Sequence, residues 1–212
     1  MTGPSPIGKA LALGAATLGE TGGQPMLPRI AAVWPGARVA GPAFPVRCAP
    51  GDNLAIHLAV TIAPAGSILV VDAQAVPGRG YWGEVLTTAA NARALAGLVI
   101  DGGVRDVDAL ERRRFPVFAS MIALRGAQKI NGGSVELPVN VGGVEVHTGD
   151  WVIADRDGVT VIAASRLDAV LDAGAARAAR EEELFTALAG GATTLELLEL
   201  DPATVRRSGA AS

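Results

Sequence analysis

The segment from Glu84 to Asp106 constrains the fold of this chain more than any other. Apolar residues in its first half recur at helical spacing: Val85, Leu86, Ala89, Ala92 and Leu95. Gly97 follows where a left-handed helix end is favoured. The apolar run from Leu98 to Ile100, closed by Asp101-Gly102-Gly103, is typical of a buried strand that ends in a glycine turn. The segment therefore predicts a helix followed by a strand of a parallel sheet.

This order of elements predicts that the two ends of the segment meet. About thirteen helical residues cover roughly 20 Å, and a strand of five or six residues returns nearly the same distance. We therefore expect Glu84 to lie near Arg105 and Asp106 at the carboxyl edge of the sheet, where open α/β folds bind ligands. Two carboxylates and a guanidinium there suit a hard divalent cation and an oxyanionic substrate. The alternative is that Glu84 only complements the helix dipole and that Arg105 and Asp106 form a structural ion pair.

Strands and helices alternate on both sides of this segment, which predicts an α/β fold with a parallel β-α-β core. A strand from Arg38 to Ala49 contains two prolines, which favour an edge or a bulge. A helix over Leu54–Ile62 contains His57, which we expect in the core or in an interface. A buried strand over Ser67–Asp72 follows this helix.

The pattern changes after Leu124, where glycine turns separate short alternating runs that predict antiparallel strands. A long helix from Ser165 to about Ala189 comes next. With half of its 212 residues hydrophobic, the chain can bury a sizeable core. We expect a single domain over residues 1–212, with residues 165–200 as a C-terminal helical arm.

Charge and cysteine content limit the class of protein. The net charge of −3 and the absence of a basic run longer than Arg112 to Arg114 argue against direct binding to nucleic acid. The lone Cys48 excludes an internal disulfide. The N-terminal sequence is too interrupted for a signal peptide or a membrane-spanning helix. We therefore expect a cytoplasmic protein that does not bind membranes.

The segment GYWGEVLTTAANARALAGLVIDGGVRD contains an acidic residue, twenty intervening residues and then Arg-Asp. It closely resembles the RraA-like family and, within it, the 4-hydroxy-4-methyl-2-oxoglutarate/4-carboxy-4-hydroxy-2-oxoadipate aldolases. The resemblance implies a β/β/α swivelling-domain fold. It also implies metal-dependent cleavage of a 4-hydroxy-2-oxo acid to pyruvate and a second oxo compound. Because oxaloacetate decarboxylation passes through the same pyruvate enolate, it implies that side activity as well.

The resemblance also implies a role for each residue of the motif. Asp106 would be the one direct protein ligand of the metal, with water in most other positions. Arg105 would hold the oxygens of the 2-oxo acid and stabilise the enolate. Glu84 would act through a metal-bound water as the base for the C4 hydroxyl. The N–H groups near Val85 and Leu86 would bind the substrate carboxylate.

Family members assemble as trimers or pairs of trimers, so the resemblance implies a homotrimer or homohexamer. A glutamate of the C-terminal helix would reach the water shell of a neighbouring subunit's metal, and Glu181 matches that position best. The alternative is that Glu181 forms a solvated pair with Arg177 on one helix face.

An aldolase of this type stabilises the enolate with a lysine Schiff base or with a divalent metal. The chain has only Lys9 and Lys129, and neither is predicted at the end of a buried strand. Metal assistance is therefore favoured. Carboxylate and water ligands suit Mg²⁺ or Mn²⁺, with Mg²⁺ as the first choice.

The family also contains regulators that bind and inhibit an RNA-degrading endonuclease without catalysing a reaction. Such regulators are shorter and lack the long C-terminal helix that is predicted here. This alternative remains open from the sequence.

Overall fold

The computed structural model describes residues 5–74 and 76–206. Within these ranges the strands are β1 Gln24–Pro25, β2 Ala31–Ala32, β3 Val39–Cys48, β4 Ile68–Asp72, β5 Arg79–Trp82, β6 Gly97–Val104, β7 Val117–Ile122, β8 Arg125–Gly126, β9 Gly133–Val135, β10 Val139–Val141, β11 Val144–Val146, β12 Trp151–Asp155 and β13 Gly158–Ile162. The helices are α1 Pro6–Glu20, α2 Leu54–Ile62, α3 Glu84–Ala92, α4 Val107–Arg112, α5 Leu167–Ala189 and α6 Thr194–Leu197, with 3₁₀ turns at Ala164–Arg166 and Pro202–Thr204. The described residues form two compact units, one up to Gly174 and one from Ala175 onward.

The first unit is built on a parallel core. Strand β4 pairs in parallel with β3 on one side and with β6 on the other, and β6 pairs in parallel with β7. Strand β5 pairs in parallel with the end of β6 and with β8. Helices α2, α3 and α4 precede β4, β6 and β7 along the chain. This arrangement confirms the predicted α/β fold with a parallel β-α-β core.

Strand β3 joins this core to an antiparallel layer. Its first half pairs with β12, which pairs with β13, and β13 pairs with β1, all antiparallel. Strands β10 and β11 form a separate antiparallel hairpin. The predicted change to antiparallel strands after Leu124 is therefore confirmed.

The first of the two alternatives predicted for β3, an edge strand, is wrong, because β3 pairs with β4 on one side and with β12 and β9 on the other. On the side away from β4, Ala43 N–H donates to Asp150 O at 2.7 Å, and Pro45 O accepts from Glu136 N–H at 2.9 Å. Alternation along the strand places Pro45 on this same side, between the pairing with β12 and the pairing with β9. Pro45 has no N–H to donate, and no strand hydrogen bond requires a donor at this position.

Two glycine assignments in the central segment are also wrong. Helix α3 ends at Ala92, and the left-handed residue after it is Ala94 (φ 55°), so Gly97 begins β6 instead of ending the helix. Strand β6 runs through Gly102 and Gly103 to Val104 without a turn. A Cβ on Gly103 would lie 2.3 Å from Arg79 O, so this glycine allows β5 to approach β6.

The long helix α5 confirms the helix that was predicted from Ser165 to about Ala189. The second unit contains the later part of α5 and α6, where Thr193 and Glu196 form a reciprocal capping box. It exposes several large apolar side chains: Phe185, Leu195, Leu198, Leu200 and Val205. Across the described part of the chain, no helix is long and apolar enough to cross a membrane.

Candidate active site

A cleft of about 180 Å³ lies where β5 and β6 end. It is lined by Asn53, His57, Gly80, Tyr81, Trp82, Gly83, Val85, Leu86, Arg105, Asp106, Gly126, Ala127 and Lys129. Four residues that the sequence analysis assigned to the site therefore share one cavity: Val85, Leu86, Arg105 and Asp106. Glu84 is close by in the chain but does not contribute to the lining.

The pairing of β5 with β6 brings the two ends of the central segment together. The Arg105 N–H donates to Trp82 O at 2.9 Å, which places Arg105 and Asp106 beside the turn that leads into α3. Trp82 is buried, stacks on Phe115 with 5.7 Å between ring centroids, and donates from Nε1 to Thr87 Oγ1 at 2.7 Å. The start of α3 is therefore held rigidly against the end of β6.

Asp106 has an unusual backbone conformation. Its φ of 58° and ψ of 37° are left-handed, and its side chain does not cap α4, although it occupies the N-cap position. Instead its Oδ2 accepts from Glu84 N–H at 3.0 Å. Within residues 5–74 and 76–206, Oδ1 receives no hydrogen bond. Five other non-glycine residues in the described ranges also have a positive φ, and aspartate adopts it more readily than most, so it is the unpartnered Oδ1 that makes Asp106 a candidate functional residue.

Two glycines leave room for the charged side chains of the cleft. A Cβ on Gly83 would lie 2.4 Å from Asp106 Oδ2, so any side chain there would displace the carboxylate. A Cβ on Gly126 would lie 3.3 Å from Arg105 Nη1. Arg105 also approaches the neighbouring carboxylate, with 3.7 Å between its Nε and Asp106 Oδ2. These contacts fix a positive and a negative group side by side.

The first turn of α3 supplies donors to the cleft. Thr87 N–H makes the first bond of the helix, to Gly83 O at 3.0 Å, and no side chain caps this end. Because the N–H of Glu84 is taken by Asp106, the N–H groups of Val85 and Leu86 remain without an acceptor in the described structure. Free donors at the positive end of a helix dipole are suited to bind an anion.

The Glu84 carboxylate is directed to α4. Arg113 donates to Glu84 Oε1 from Nε at 3.1 Å and from Nη2 at 2.9 Å. The structure thus brings the Glu84 backbone to Asp106, as expected, while an arginine that the sequence analysis did not consider holds the side chain.

Three further residues of the cleft were missed. Asn53 Nδ2 donates to Tyr81 O at 2.7 Å, but Asn53 Oδ1 and His57 Nε2 are buried and have no partner among the described residues. His57 is therefore not a satisfied core residue, and its expected alternative place in an interface stays a prediction. The Asn-x-x-x-His spacing at the start of α2 places both side chains on one helix face, a signal that could have been recognised. The third residue, Lys129, contacts Ala127 O at 3.5 Å.

Asp52 anchors the loop that carries Lys129. Its carboxylate accepts from the N–H groups of Leu54 at 2.8 Å, Ile130 at 2.6 Å and Asn131 at 2.9 Å. Burial alone would raise the pKa of Asp52, but these hydrogen bonds lower it below its ordinary value. Asp52 therefore remains ionised and ties the loop to the start of α2.

Asp101 lies outside the cleft. It is part of β6 instead of a glycine turn, and it accepts from Arg29 Nε at 3.2 Å and Nη2 at 2.6 Å. Burial would raise the pKa of Asp101, whereas the hydrogen bond and the charge of Arg29 lower it. Asp101 is thus a member of an ion pair.

Glu181 belongs to the second unit, where Arg177 Nη2 lies 2.9 Å from its Oε1. This is the i,i+4 pair of the alternative interpretation. A role for Glu181 at a neighbouring subunit's metal stays a prediction.

Comparison with known proteins identifies the family. The RraA-like family, described as Aldolase/RraA, matches residues 15–161. A protein of Halalkalibacterium halodurans named "Putative 4-hydroxy-4-methyl-2-oxoglutarate aldolase" is 34% identical over 145 residues, which cover 68% of this chain and 69% of that protein. The chain therefore belongs to the RraA-like family.

Solved structures confirm the fold that the resemblance implied. An uncharacterized protein from Pseudomonas syringae pv. tomato is 27% identical with a TM-score of 0.81, covering 89% of this chain and 90% of that one. The RNA-processing inhibitor RraA from Thermus thermophilis is 27% identical with a TM-score of 0.63, covering 70% of this chain and 91% of that one. The RraA-like, swivelling-domain fold is thus shared between a chain as long as this one and a shorter inhibitor.

Proposed function

We propose that this protein is a divalent-metal-dependent aldolase that cleaves a 4-hydroxy-2-oxo acid to pyruvate and a second oxo compound. The observation that carries the proposal is the convergence of Arg105, Asp106 and the free N–H groups of α3 in one cleft. The name of the H. halodurans relative supports the same class of reaction. An oxaloacetate decarboxylase side activity follows from the shared enolate.

The donors in the cleft fit Mg²⁺ or Mn²⁺. No three His, Cys, Asp or Glu side chains of the described residues come together to hold a metal, and Asp106 is the one carboxylate among the residues that line the cleft. Its free Oδ1 suits a hard cation that keeps most of its waters, as Mg²⁺ does. A bound cation supplies a Lewis acid that polarises the 2-oxo group of the substrate.

The remaining groups bind and orient the substrate. The N–H groups of Val85 and Leu86 hold the carboxylate next to the 2-oxo group. Arg105 donates to the 2-oxo oxygen and stabilises the negative charge that develops there. Lys129 adds a second positive charge, which suits a substrate with a further carboxylate.

The family resemblance assigns Glu84, whose side chain does not line the cleft, as the base that removes the proton of the C4 hydroxyl. The C3–C4 bond then breaks and its electrons pass into the pyruvate enolate. Decarboxylation of oxaloacetate needs no such base because the substrate has no hydroxyl proton to remove. The two reactions therefore separate the role of Glu84 from that of Arg105.

Lys129 reopens the question of a Schiff base, since the sequence analysis did not expect a lysine in the cleft. Schiff-base lysines are desolvated or placed beside another cation so that the amine is neutral. Lys129 is exposed. We therefore assign Lys129 to substrate binding.

We also propose that the protein works as a homotrimer or homohexamer in which the C-terminal helix completes a neighbouring site. Val85 and Ile130 lie at or beside the cleft with 77% and 78% of their surface exposed, and the second unit exposes further apolar side chains. Apolar surface of this kind is typical of interfaces. Glu181 would then act on the water shell of the neighbour's metal.

Pyruvate release from a panel of 4-hydroxy-2-oxo acids, with and without Mg²⁺, tests the proposed function. The aldolase proposal predicts Mg²⁺-dependent release from at least one member and release of CO₂ from oxaloacetate. A non-catalytic regulator that binds and inhibits an RNA-degrading endonuclease, as the T. thermophilis relative is named for inhibiting RNA processing, predicts neither product.

A further inference from the structure

We infer that Arg113 is a positioning residue for the proposed base Glu84. This inference rests on the proposed aldolase activity. It concerns a contact between Glu84, the first residue of α3, and Arg113, the residue that follows α4.

The contact fixes one oxygen of the Glu84 carboxylate. Arg113 directs both Nε, at 3.1 Å, and Nη2, at 2.9 Å, to the same Oε1. Oε2 receives no hydrogen bond from the described residues. Two charge-assisted donors on one oxygen favour one orientation of the carboxylate and leave Oε2 as the atom that accepts a proton.

Helix α4 connects this contact to the metal ligand. Asp106 precedes the first residue of α4 and binds the Glu84 N–H, while Arg113 follows its last residue and binds the Glu84 side chain. Arg113 N–H is itself fixed by Ala109 O at 3.0 Å. The two ends of one short helix therefore hold both the backbone and the carboxylate of Glu84, which sets the base relative to Asp106.

A purely structural pair predicts a different result. The side chains of Arg113 and Glu84 are 39% and 43% exposed, and pairs exposed to this degree stabilise proteins little. If stability were the only role, removal of Arg113 would change neither of the two reactions.

The test compares Arg113→Ala, Arg113→Lys and the control Arg112→Ala, which removes the same charge from the adjacent residue. The kcat for aldol cleavage should fall about 10- to 100-fold in Arg113→Ala, with KM nearly unchanged and oxaloacetate decarboxylation within about twofold of wild type. Arg113→Lys should recover part of the loss, and Arg112→Ala should match wild type. The thermal midpoint should move by less than about 3 °C.

A double-mutant cycle makes the inference sharper. If Arg113 acts only through Glu84, Arg113→Ala should cause no further loss of aldol cleavage in the Glu84→Gln background. Unchanged cleavage in Arg113→Ala, equal loss of both reactions, or additive losses in the double variant would each overturn the inference. Absence of pyruvate release in the wild type would instead overturn the proposed function, and the inference with it.

Discussion

Gly83 provides a steric test of the cleft. Its backbone, with φ −166° and ψ −164°, is extended, and alanine adopts this conformation without strain. The added Cβ would lie 2.4 Å from Asp106 Oδ2 and 3.1 Å from Arg105 Cγ. Since ordinary contacts begin at about 3.5 Å, the carboxylate must move by roughly 1 Å.

The expected effect of Gly83→Ala on stability is small and its effect on activity is large. A side chain forced from its rotamer costs about 0.5 to 1.5 kcal/mol, and a weakened hydrogen bond from the Glu84 N–H adds about 1 kcal/mol. The protein should remain folded after a loss of about 2 kcal/mol. A displacement of roughly 1 Å in a catalytic group can lower turnover about 100-fold.

Three measurements check this prediction: kcat/KM for pyruvate release, Mg²⁺ affinity by titration, and the free energy of unfolding in urea. Gly132→Ala is the matched control, because its Cβ would meet no atom within 4 Å. We expect Gly132→Ala to resemble wild type in all three. A folded Gly83→Ala variant with activity and Mg²⁺ affinity within about twofold of wild type would refute the assignment of Asp106 as the metal ligand.

Three other predictions concern separate features. Asp106→Ala should be less stable in urea than Asp106→Asn by about 1 kcal/mol, because asparagine tolerates the left-handed backbone, yet both should lose Mg²⁺ binding; equal stability would argue against strain. Glu181→Ala should cost about 10- to 100-fold in turnover, and mixing it with Asp106→Ala should restore activity; subunit exchange without recovery would exclude a shared site. Burial, and after it the charge of Lys129, lowers the pKa of His57 below 6.5, so the unfolded chain binds more protons on acidification. The free energy of unfolding should therefore fall as the pH drops below about 6.5, and an unchanged slope in His57→Gln would contradict this assignment.

The elements with a strong local pattern were predictable from the sequence. Helix α2 has the predicted bounds, and α5 begins within two residues of the predicted start, because their apolar spacing and terminal residues are local signals. Glycines were harder to interpret. Gly102 and Gly103 suggested a turn, but the closeness of Ala73 and Arg79 from other parts of the chain requires them, and no local pattern reveals that contact.

The meeting of Glu84 with Asp106 was predicted by reasoning that was partly wrong. Helix α3 is shorter and β6 is longer than the prediction assumed, so their lengths do not match. The ends meet because β5 pairs with the end of β6 and delivers Gly83 beside Arg105. Arg113 could not be assigned for a similar reason, since its contact with Glu84 depends on how α3 and α4 pack together.

The most direct test of the central claim is exchange of the methyl protons of pyruvate with D₂O, followed by proton NMR. This reaction reports enolate formation in the cleft and requires no knowledge of the physiological substrate. We predict rapid exchange by the wild type with Mg²⁺, and loss of exchange with EDTA and in Asp106→Ala. Absence of exchange in the wild type with Mg²⁺, or exchange at the full rate in EDTA, would contradict the account.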